Sequence, residues 1–444
     1  MIKILSFLAL SMLLFGCQPS DSNAVHLVDP ISEKIIKFDQ SKIDSYRKLP
    51  FVSDPTVSYC EANLTLYEKN SKIMQYSSVD DQTLHPAASL SKIYLTAFVI
   101  HKLGLEYQFS HRLKLKYVTD QVADVFLDSD GDPIYNIQKA LYIMSILRMQ
   151  GVRQIRHLTI SPQTRIFLSV LNNPSIELDQ VPISLSETIK NFKLIFNSQN
   201  WGPQTQFARD ELNQFVNLSR KNLPIVTEFK TDTVGVSDTE PDQFDQEIIV
   251  HSSRINEYLK ELNVNSNNYI SDTLFKKLGG FEEFYRFQSQ TLKIKSDQLI
   301  MFSGSGLPTY VDGRRYDNKT TCRSLIKALH YIKIKADDYN VNLGDLLLMP
   351  DYDQGTFDSQ SVVVNHSVVL KTGRLFEVPT LNLAGLASTQ SGIFAFVFLG
   401  HNFDNSFEEQ MKSKRDKSLL SLFSSYGETP LFAQPQKTKS TFIE

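Results

Sequence analysis

Ser89 and Lys92 stand three residues apart in the stretch His85-Pro-Ala-Ala-Ser-Leu-Ser-Lys-Ile-Tyr-Leu-Thr-Ala-Phe-Val-Ile100, which carries almost no other charge. On a helix, residues at that spacing share a face with Cβ atoms about 5–6 Å apart, so the amine reaches the hydroxyl. Leu90, Ile93, Leu95 and Phe98 set the pair among apolar neighbours. A poorly solvated ammonium gives up its proton more readily, which moves the lysine toward the range where a neutral amine acts as a base. A serine beside such an amine is an activated nucleophile. Other serines followed three later by lysine, Ser45 with Lys48 and Ser324 with Lys327, lie in charged or mixed surroundings.

Two further groups carry chemistry. Asn265-Ser266-Asn267-Asn268 separates two stretches of helical pattern, where a hydroxyl and amides serve as a cap and turn or as part of a site. Lys371-Thr372-Gly373 follows the apolar run Val368-Val369-Leu370 and occurs once. It puts a cation and a hydroxyl beside backbone free of side-chain bulk, which suits a carboxylate lying along a sheet edge.

The elements that must position these residues follow from periodicity. Pro86 suits a first helical position and Gly104 a terminator, which predicts a buried helix between them. Alternation from Val57 to Tyr76 predicts a hairpin turning at Glu68 to Ser71. Leu113 to Val118, Asp124 to Leu127 and Ile155 to Ile160 read as strands, with a helix through Ile137, Leu141, Met144 and Leu147. This change of texture marks a separate lobe over 105–246, with the acidic stretch Asp232 to Asp245 as the linker back. Ile248 to His251 reads as a strand, Ser253 to Leu262 and Ser271 to Leu278 as helices, and Thr320 to Ile332 as another helix. Ser367 to Thr372, Leu383 to Ser388 and Ile393 to Leu399 read as strands, the first interrupted at Gly373. The main domain is therefore 51–104 plus 247–425, preceded by a polar tether over 18–50 and followed by a loose tail over 426–444.

With 444 residues, 41% of them hydrophobic, the chain buries a large core, and a net charge of −3 gives no reason to expect nucleic acid. The chain opens Met-Ile-Lys, runs apolar from Ile4 to Phe15 and continues Gly16-Cys17-Gln18, which reads as a secretion signal over 1–17. Leu14-Phe15-Gly16-Cys17 resembles a bacterial lipobox, which implies lipidation of Cys17 and an anchor in the outer membrane facing the periplasm; Phe15 is bulkier than that motif usually carries, so plain cleavage and release is the alternative. Cys60 and Cys322 are expected to be two separately buried thiols, with a disulfide as the alternative. The nine histidines have no metal-ligand spacing. Asp128-Ser-Asp130-Gly-Asp132 is no calcium loop, since its glycine comes early and Lys139 takes the place of the closing glutamate. No metal and no cofactor is called for.

Ser89-x-x-Lys92, Ser266-x-Asn268 and Lys371-Thr372-Gly373, in that order, resemble the penicillin-binding protein and serine β-lactamase superfamily. Further matches narrow the resemblance to the D-Ala-D-Ala carboxypeptidase family typified by penicillin-binding protein 4, peptidase family S13. They are Pro86-Ala87-Ala88, Gly131-Asp132-Pro133, His251-Ser252-Ser253, Asp272-Thr-Leu, Leu278-Gly279, Ser303-Gly-Ser305-Gly306-Leu307 and Asn382-Leu383-Ala384-Gly385. Ser198-Gln199-Asn200 is a rival middle motif that lacks this context. The resemblance implies an α/β (α+β) transpeptidase-like fold, an antiparallel sheet flanked by helices, with an inserted smaller α/β lobe. Three departures stand out: Pro308 follows Ser-Gly-Leu and several residues intervene before Asn318, Arg374 follows Lys-Thr-Gly where serine or threonine is usual, and the insertion is short.

The resemblance implies a serine DD-peptidase of peptidoglycan, a D-Ala-D-Ala carboxypeptidase, a DD-endopeptidase or both, for which β-lactams are covalent inhibitors and stem peptides the substrate. Ser89 attacks the D-alanyl carbonyl and Lys92 takes its proton. Ser266 passes a proton to the leaving amine and Asn268 holds the substrate backbone. Lys371, Thr372 and Gly373 receive the substrate's negative charge. The N–H groups of Ser89 and Arg374 form the oxyanion hole. A serine β-lactamase and a non-catalytic peptidoglycan-binding lipoprotein of the same fold are the alternatives. Cells fed a radiolabelled fatty acid are expected to label the wild-type chain and not Cys17→Ser; equal label on both would remove Cys17 as the acylated residue.

Overall fold

In a computed structural model the described residues are 56–65, 76–77, 82–166, 184–218, 223–350, 352–353, 355–357, 366–401, 406 and 408–432. The signal segment, Cys17, the tether, the turn at Glu68 to Ser71, Ser45 with Lys48, and the tail beyond 432 lie outside them.

A five-stranded antiparallel sheet organises the main domain, in the order β13 (Val368–Leu375), β14 (Thr380–Thr389), β15 (Gly392–His401), β1 (Val57–Asn63) and β2 (Tyr76–Ser77). Strand β14 is buried along its whole length, so both faces of the sheet are covered. One face packs on α1 (Ser91–Leu103) and α8 (Cys322–Asp338), joined in the same core by α5 (Ile255–Val264), α6 (Asn268–Lys277) and α7 (Gly280–Gln290). The other face packs on α9 (Glu408–Tyr426) through Phe394, Phe396, Phe398, Leu419 and Leu422. Helix α1 is the central element, with every residue from Ser91 to Ile100 buried, as an all-round apolar pattern requires.

The lobe is a mixed sheet in the order β7 (Lys230–Val236), β6 (Gln154–Ile160), β5 (Val122–Asp128), β4 (Gln108–Thr119) and β8 (Gln246–Arg254). Its parallel pairs, β5 with β6 and β6 with β7, are joined through α2 (Ile137–Met149) and through α3 (Leu185–Ile195) with α4 (Pro203–Leu218), because parallel neighbours need a crossover.

Several expectations change here. The stretch from Asp232 to Val236 is strand, not linker, and a boundary at 246 severs β8 from β4, its partner in the lobe sheet. Both segments leave most of their residues exposed or half-buried, which hid their pairing. The strand of Lys371 runs on through Gly373 to Leu375. Pro86 belongs to a short strand β3 (His85–Pro86), and α1 begins at Ser91 after a 3-10 turn over Ala88–Leu90. The reason is tertiary: Pro86 and His85 pair with Lys319 and Thr320 of β12 (Lys319–Thr320), which holds them extended. Cys60 and Cys322 are not separate thiols but a disulfide that ties β1 to the start of α8 across 262 residues, a separation that leaves no local signal. Closing so long a loop stabilises a fold by about 2–5 kcal/mol.

Beside that disulfide, Glu61 is buried on β1 and accepts a 2.6 Å hydrogen bond from the Tyr59 hydroxyl. Burial pushes its carboxyl up to about 7, against the lowering by the Tyr59 and Tyr426 hydroxyls. The folded state therefore binds this proton more tightly than the unfolded one, and the contribution is complete at low pH and lost as pH rises toward 7. Glu61→Gln is expected to remove that loss, raising stability at pH 8 by on the order of 3 kcal/mol more than at pH 4. Denaturant melts at the two pH values measure it; an equal change at both would show that the charge plays no part.

Candidate active site

Ser89 sits in the 3-10 turn that leads into α1, and Lys92 in the first turn of that helix. The turn is held from three sides. Asn382 on β14 donates to the carbonyls of Pro86 (2.9 Å) and Ala87 (3.2 Å), and the Ala87 N–H donates to Asn318 O (2.8 Å). Ala88 has φ +50°, a left-handed value that costs a non-glycine residue roughly 1 kcal/mol and is imposed by these contacts. Beneath it lies Gly306, where an added Cβ would stand 1.8 Å from Ala88 O.

Lys92 is fully buried, and its Nζ meets Asn268 Oδ1 at 2.7 Å, Ser305 O at 2.8 Å and Ser89 Oγ at 3.2 Å. Each partner comes from a different segment. Asn268 opens α6, which is capped by Asn267 Oδ1 accepting from the Ile270 N–H (3.0 Å). Ser266 precedes it with φ +55°, so the turn between α5 and α6 is strained at its serine. Ser305 lies in a loop fixed by Asp272 Oδ1, which accepts from its N–H at 2.8 Å. Burial pushes the Asp272 carboxyl above its usual range, opposed by its hydrogen bonds to Ser305 and by the Lys92 charge. Asn318 fastens the start of the same loop, accepting from the Phe302 N–H (2.7 Å) and donating to Ser303 O (2.7 Å) and Ser91 Oγ (2.9 Å).

The third motif lies on β13, an edge strand. Leu370 exchanges both backbone hydrogen bonds with Leu348 on the side away from β14. By alternation the N–H and C=O groups of Thr372 and Arg374 also face away from β14, so Arg374 N–H is placed as an outward donor. Gly373 passes the nucleophile turn closely, its missing Cβ within 3.1–3.2 Å of Ala87 O and of the Leu90 N and Cγ atoms. Lys371 is fully buried and its Nζ has no hydrogen-bond partner among the described residues. Burial and the Lys92 charge hold its pKa well below the ordinary lysine value.

The other site residues fall as follows. Thr372 Oγ1 meets Thr356 Oγ1 at 2.5 Å. The Arg374 side chain turns away to Glu408 on α9 (2.6 Å) and lies over Phe376, so only its backbone belongs to the site. Ser198 belongs to the lobe, where its Oγ accepts from the Phe229 N–H, and Ser324 and Lys327 bond to Gln298 O and Lys293 O. Ser305, Asp272, Asn318 and Thr356 were given no role from sequence. Asp272 and Ser305 stood inside quoted motifs, but a backbone carbonyl acceptor and its carboxylate support leave no spacing to read.

Residues 51–185 and 226–421 match the family model described as D-Ala-D-Ala carboxypeptidase 3 (S13) family. No curated protein matches the chain in sequence. Among solved structures, a predatory peptidoglycan endopeptidase of Bdellovibrio bacteriovorus is 19% identical with TM-score 0.73, covering 87% of this chain and 98% of its own. A second predatory endopeptidase of that organism, solved in complex with an immunity protein, is 22% identical with TM-score 0.68, covering 87% and 100%. Penicillin-binding protein 4 of Haemophilus influenzae is 17% identical with TM-score 0.52, covering 88% and 100%. The fold is that of the penicillin-binding proteins.

Removing one of the acceptors of Lys92 should let its amine drift from Ser89. Asn268→Ala is expected to slow covalent labelling by fluorescent penicillin by about 10²-fold with little change in melting temperature; a wild-type labelling rate would show that the contact is incidental.

Proposed function

The chain belongs to the D-Ala-D-Ala carboxypeptidase 3 (S13) family, and from that premise we propose that this serine DD-peptidase cuts the D-alanyl cross-links of peptidoglycan through an acyl-enzyme on Ser89, with terminal D-alanine removal as its lesser activity. The observation that carries the catalytic part is the convergence on Lys92 Nζ. Two of its positions face Asn268 Oδ1 and Ser305 O, so a neutral amine gives those acceptors its N–H bonds and aims its lone pair at Ser89 Oγ. Ser89 Oγ bonds to the substrate carbonyl carbon as its proton passes to Lys92. Ser266 relays a proton to the nitrogen of the breaking amide, and the amine leaves. Water then attacks the ester, and Ser89 regains its proton. The N–H groups of Ser89 and Arg374 stabilise the oxyanion in both steps, by about 3 kcal/mol per donor.

Substrate placement follows from β13. An extended peptide adds to its open edge through Thr372 and Arg374, with Gly373 leaving room for the nucleophile turn. The carboxylate of the peptide, or its counterpart in a cross-link, meets Lys371 and Thr372, while Asn268 holds the substrate backbone. The preference for cross-links is supported by the one inserted lobe found among the described residues and by the better fit to structures named as peptidoglycan endopeptidases than to penicillin-binding protein 4. Penicillin as a covalent inhibitor is supported by the penicillin G acylated form of the Bdellovibrio endopeptidase. On the same reading Cys17 carries the lipid and the enzyme works in the periplasm, a setting in keeping with the disulfide of Cys60 and Cys322.

Fluorescent penicillin is expected to label wild type stably and Ser89→Ala not at all, and purified sacculi are expected to lose dimeric muropeptides faster than pentapeptides lose D-alanine. Sacculi that shed terminal alanine and keep their dimers would overturn the cross-link preference. Rapid release of the label would make the chain a β-lactamase.

A further inference from the structure

The residues that intervene between Leu307 and Asn318 form a small hairpin, β10 (Thr309–Val311) and β11 (Arg314–Tyr316), turned by Asp312 and Gly313 at φ +50° and +72°. Positive φ at both central residues is the primed turn that Asp-Gly favours. The hairpin is fastened to both ends of the site. Arg315 pairs with Asp317 and with Glu377 in the turn after β13, and Tyr316 packs its ring 5.3 Å from Phe302, just before the Ser305 loop. From Phe302 the rings continue outward, to Phe281 at 6.5 Å and from there to Tyr285 at 6.2 Å, with interplanar angles of 11° and 23°. These side chains are open to solvent: Phe281 is 52% exposed, Tyr285 45%, Phe302 36% and Tyr316 36%. A contiguous exposed aromatic row of this kind marks a binding surface.

We propose that the row Tyr285, Phe281, Phe302 and Tyr316 binds the sugar backbone of peptidoglycan, placing a glycan strand so that its stem peptide reaches Ser89. This rests on the DD-peptidase reading above. Reach is the first argument. The scissile bond hangs from the glycan by a stem of about four residues, which spans at most about 14 Å when extended. Phe302 stands three residues before Ser305, whose carbonyl touches Lys92, so the Cα atoms of Phe302 and Ser305 lie at most about 11 Å apart. The second argument is continuity, since the same loop that supplies Ser305 to the site supplies Phe302 to the row. Third, the near-parallel rings of Tyr285, Phe281 and Phe302, continued by Tyr316 at 57° to Phe302 and with a tyrosine hydroxyl at each end, suit a pyranose chain, which offers apolar C–H faces and a rim of hydroxyls and amides.

The test uses the full chain carrying Ser89→Ala, which binds without cutting. Glycan strands stripped of their peptides are expected to retard this protein in affinity electrophoresis, and Phe281→Ala with Tyr285→Ala is expected to weaken that binding at least tenfold. In the active enzyme the same pair should lower kcat/KM about tenfold on glycan-bearing dimers relative to sugar-free cross-linked peptide, with Tyr316→Ala as an independent second variant. Penicillin labelling of each variant confirms that the site is folded. Absence of binding to stripped glycan, or an equal loss on both substrates, overturns the proposal. Glycan binding by the Ser89→Ala chain together with no penicillin label on the wild-type chain keeps this inference and defeats the enzymatic one.

Discussion

The buried amine of Lys92 is the constraint on which the remainder of the structure depends. An ammonium or amine in an apolar core is tolerated only where acceptors surround it, since an uncompensated buried charge costs several kcal/mol. Here the acceptors come from three distant parts of the chain: Ser89 from its own turn, Asn268 from the head of α6 and the Ser305 carbonyl from a loop. None is free to wander. Asn382 and Asn318 hold the first, the Asn267 cap holds the second, and Asp272 with Asn318 holds the third. Two glycines mark how tightly these pieces meet, Gly306 under Ala88 and Gly373 beside Leu90, since a side chain at either would occupy space already filled.

The same assembly concentrates strain beside its two serines. Ala88 and Ser266 both take left-handed φ values without being glycine. Such conformations persist only where the surroundings over-determine them. At Ala88 the compensation is visible as backbone hydrogen bonds on either side of it, and at Ser266 as a capped helix that begins immediately after. Lys371 adds a complementary tension, a buried amine with no hydrogen-bond partner among the described residues.

What the sequence disclosed was the chemistry and the buried centre. Ser89 and Lys92 meet, and Lys371 lies within electrostatic reach of Lys92, each in a short motif with apolar neighbours; the contact of Asn268 with Lys92 comes from a polar turn far along the chain, where the resemblance implied only a hold on the substrate. The strands β14 and β15 and the helix α1 were legible for the same reason, being long and apolar. Features decided by partners far along the chain were not. The extended conformation of His85 and Pro86 depends on β12, the pairing of Cys60 on a residue 262 positions away, and the strand character of Asp232 to Val236 on the edge of another sheet. Helix α9, polar overall, buries only a narrow stripe that includes Met411, Leu419 and Leu422, and no strong periodicity announces it. The hairpin after Pro308 was seen only as a departure, although Asp312-Gly313 carried the turn signal.

A buried charge cluster in the lobe ties it to the helices of the main domain. Asp132, fully buried, lies 2.7 Å from Lys139 Nζ and 3.1 Å from His111 Nε2. Burial opposes ionisation of that carboxyl, but the charges and hydrogen bonds of Lys139 and His111 outweigh it and hold the pKa below the usual range. Lys139 Nζ also donates to Tyr258 OH on α5 (2.7 Å), and Lys277 on α6 donates to Asp130 O (2.7 Å). The loop of Asp130 and Asp132 thus grips the two helices whose junction carries Ser266, Asn267 and Asn268. Removing one member of a buried pair leaves an uncompensated charge and costs about 3–5 kcal/mol, far more than an exposed contact. This loop of the lobe therefore helps to hold the turn that supplies Lys92 with Asn268 as an acceptor.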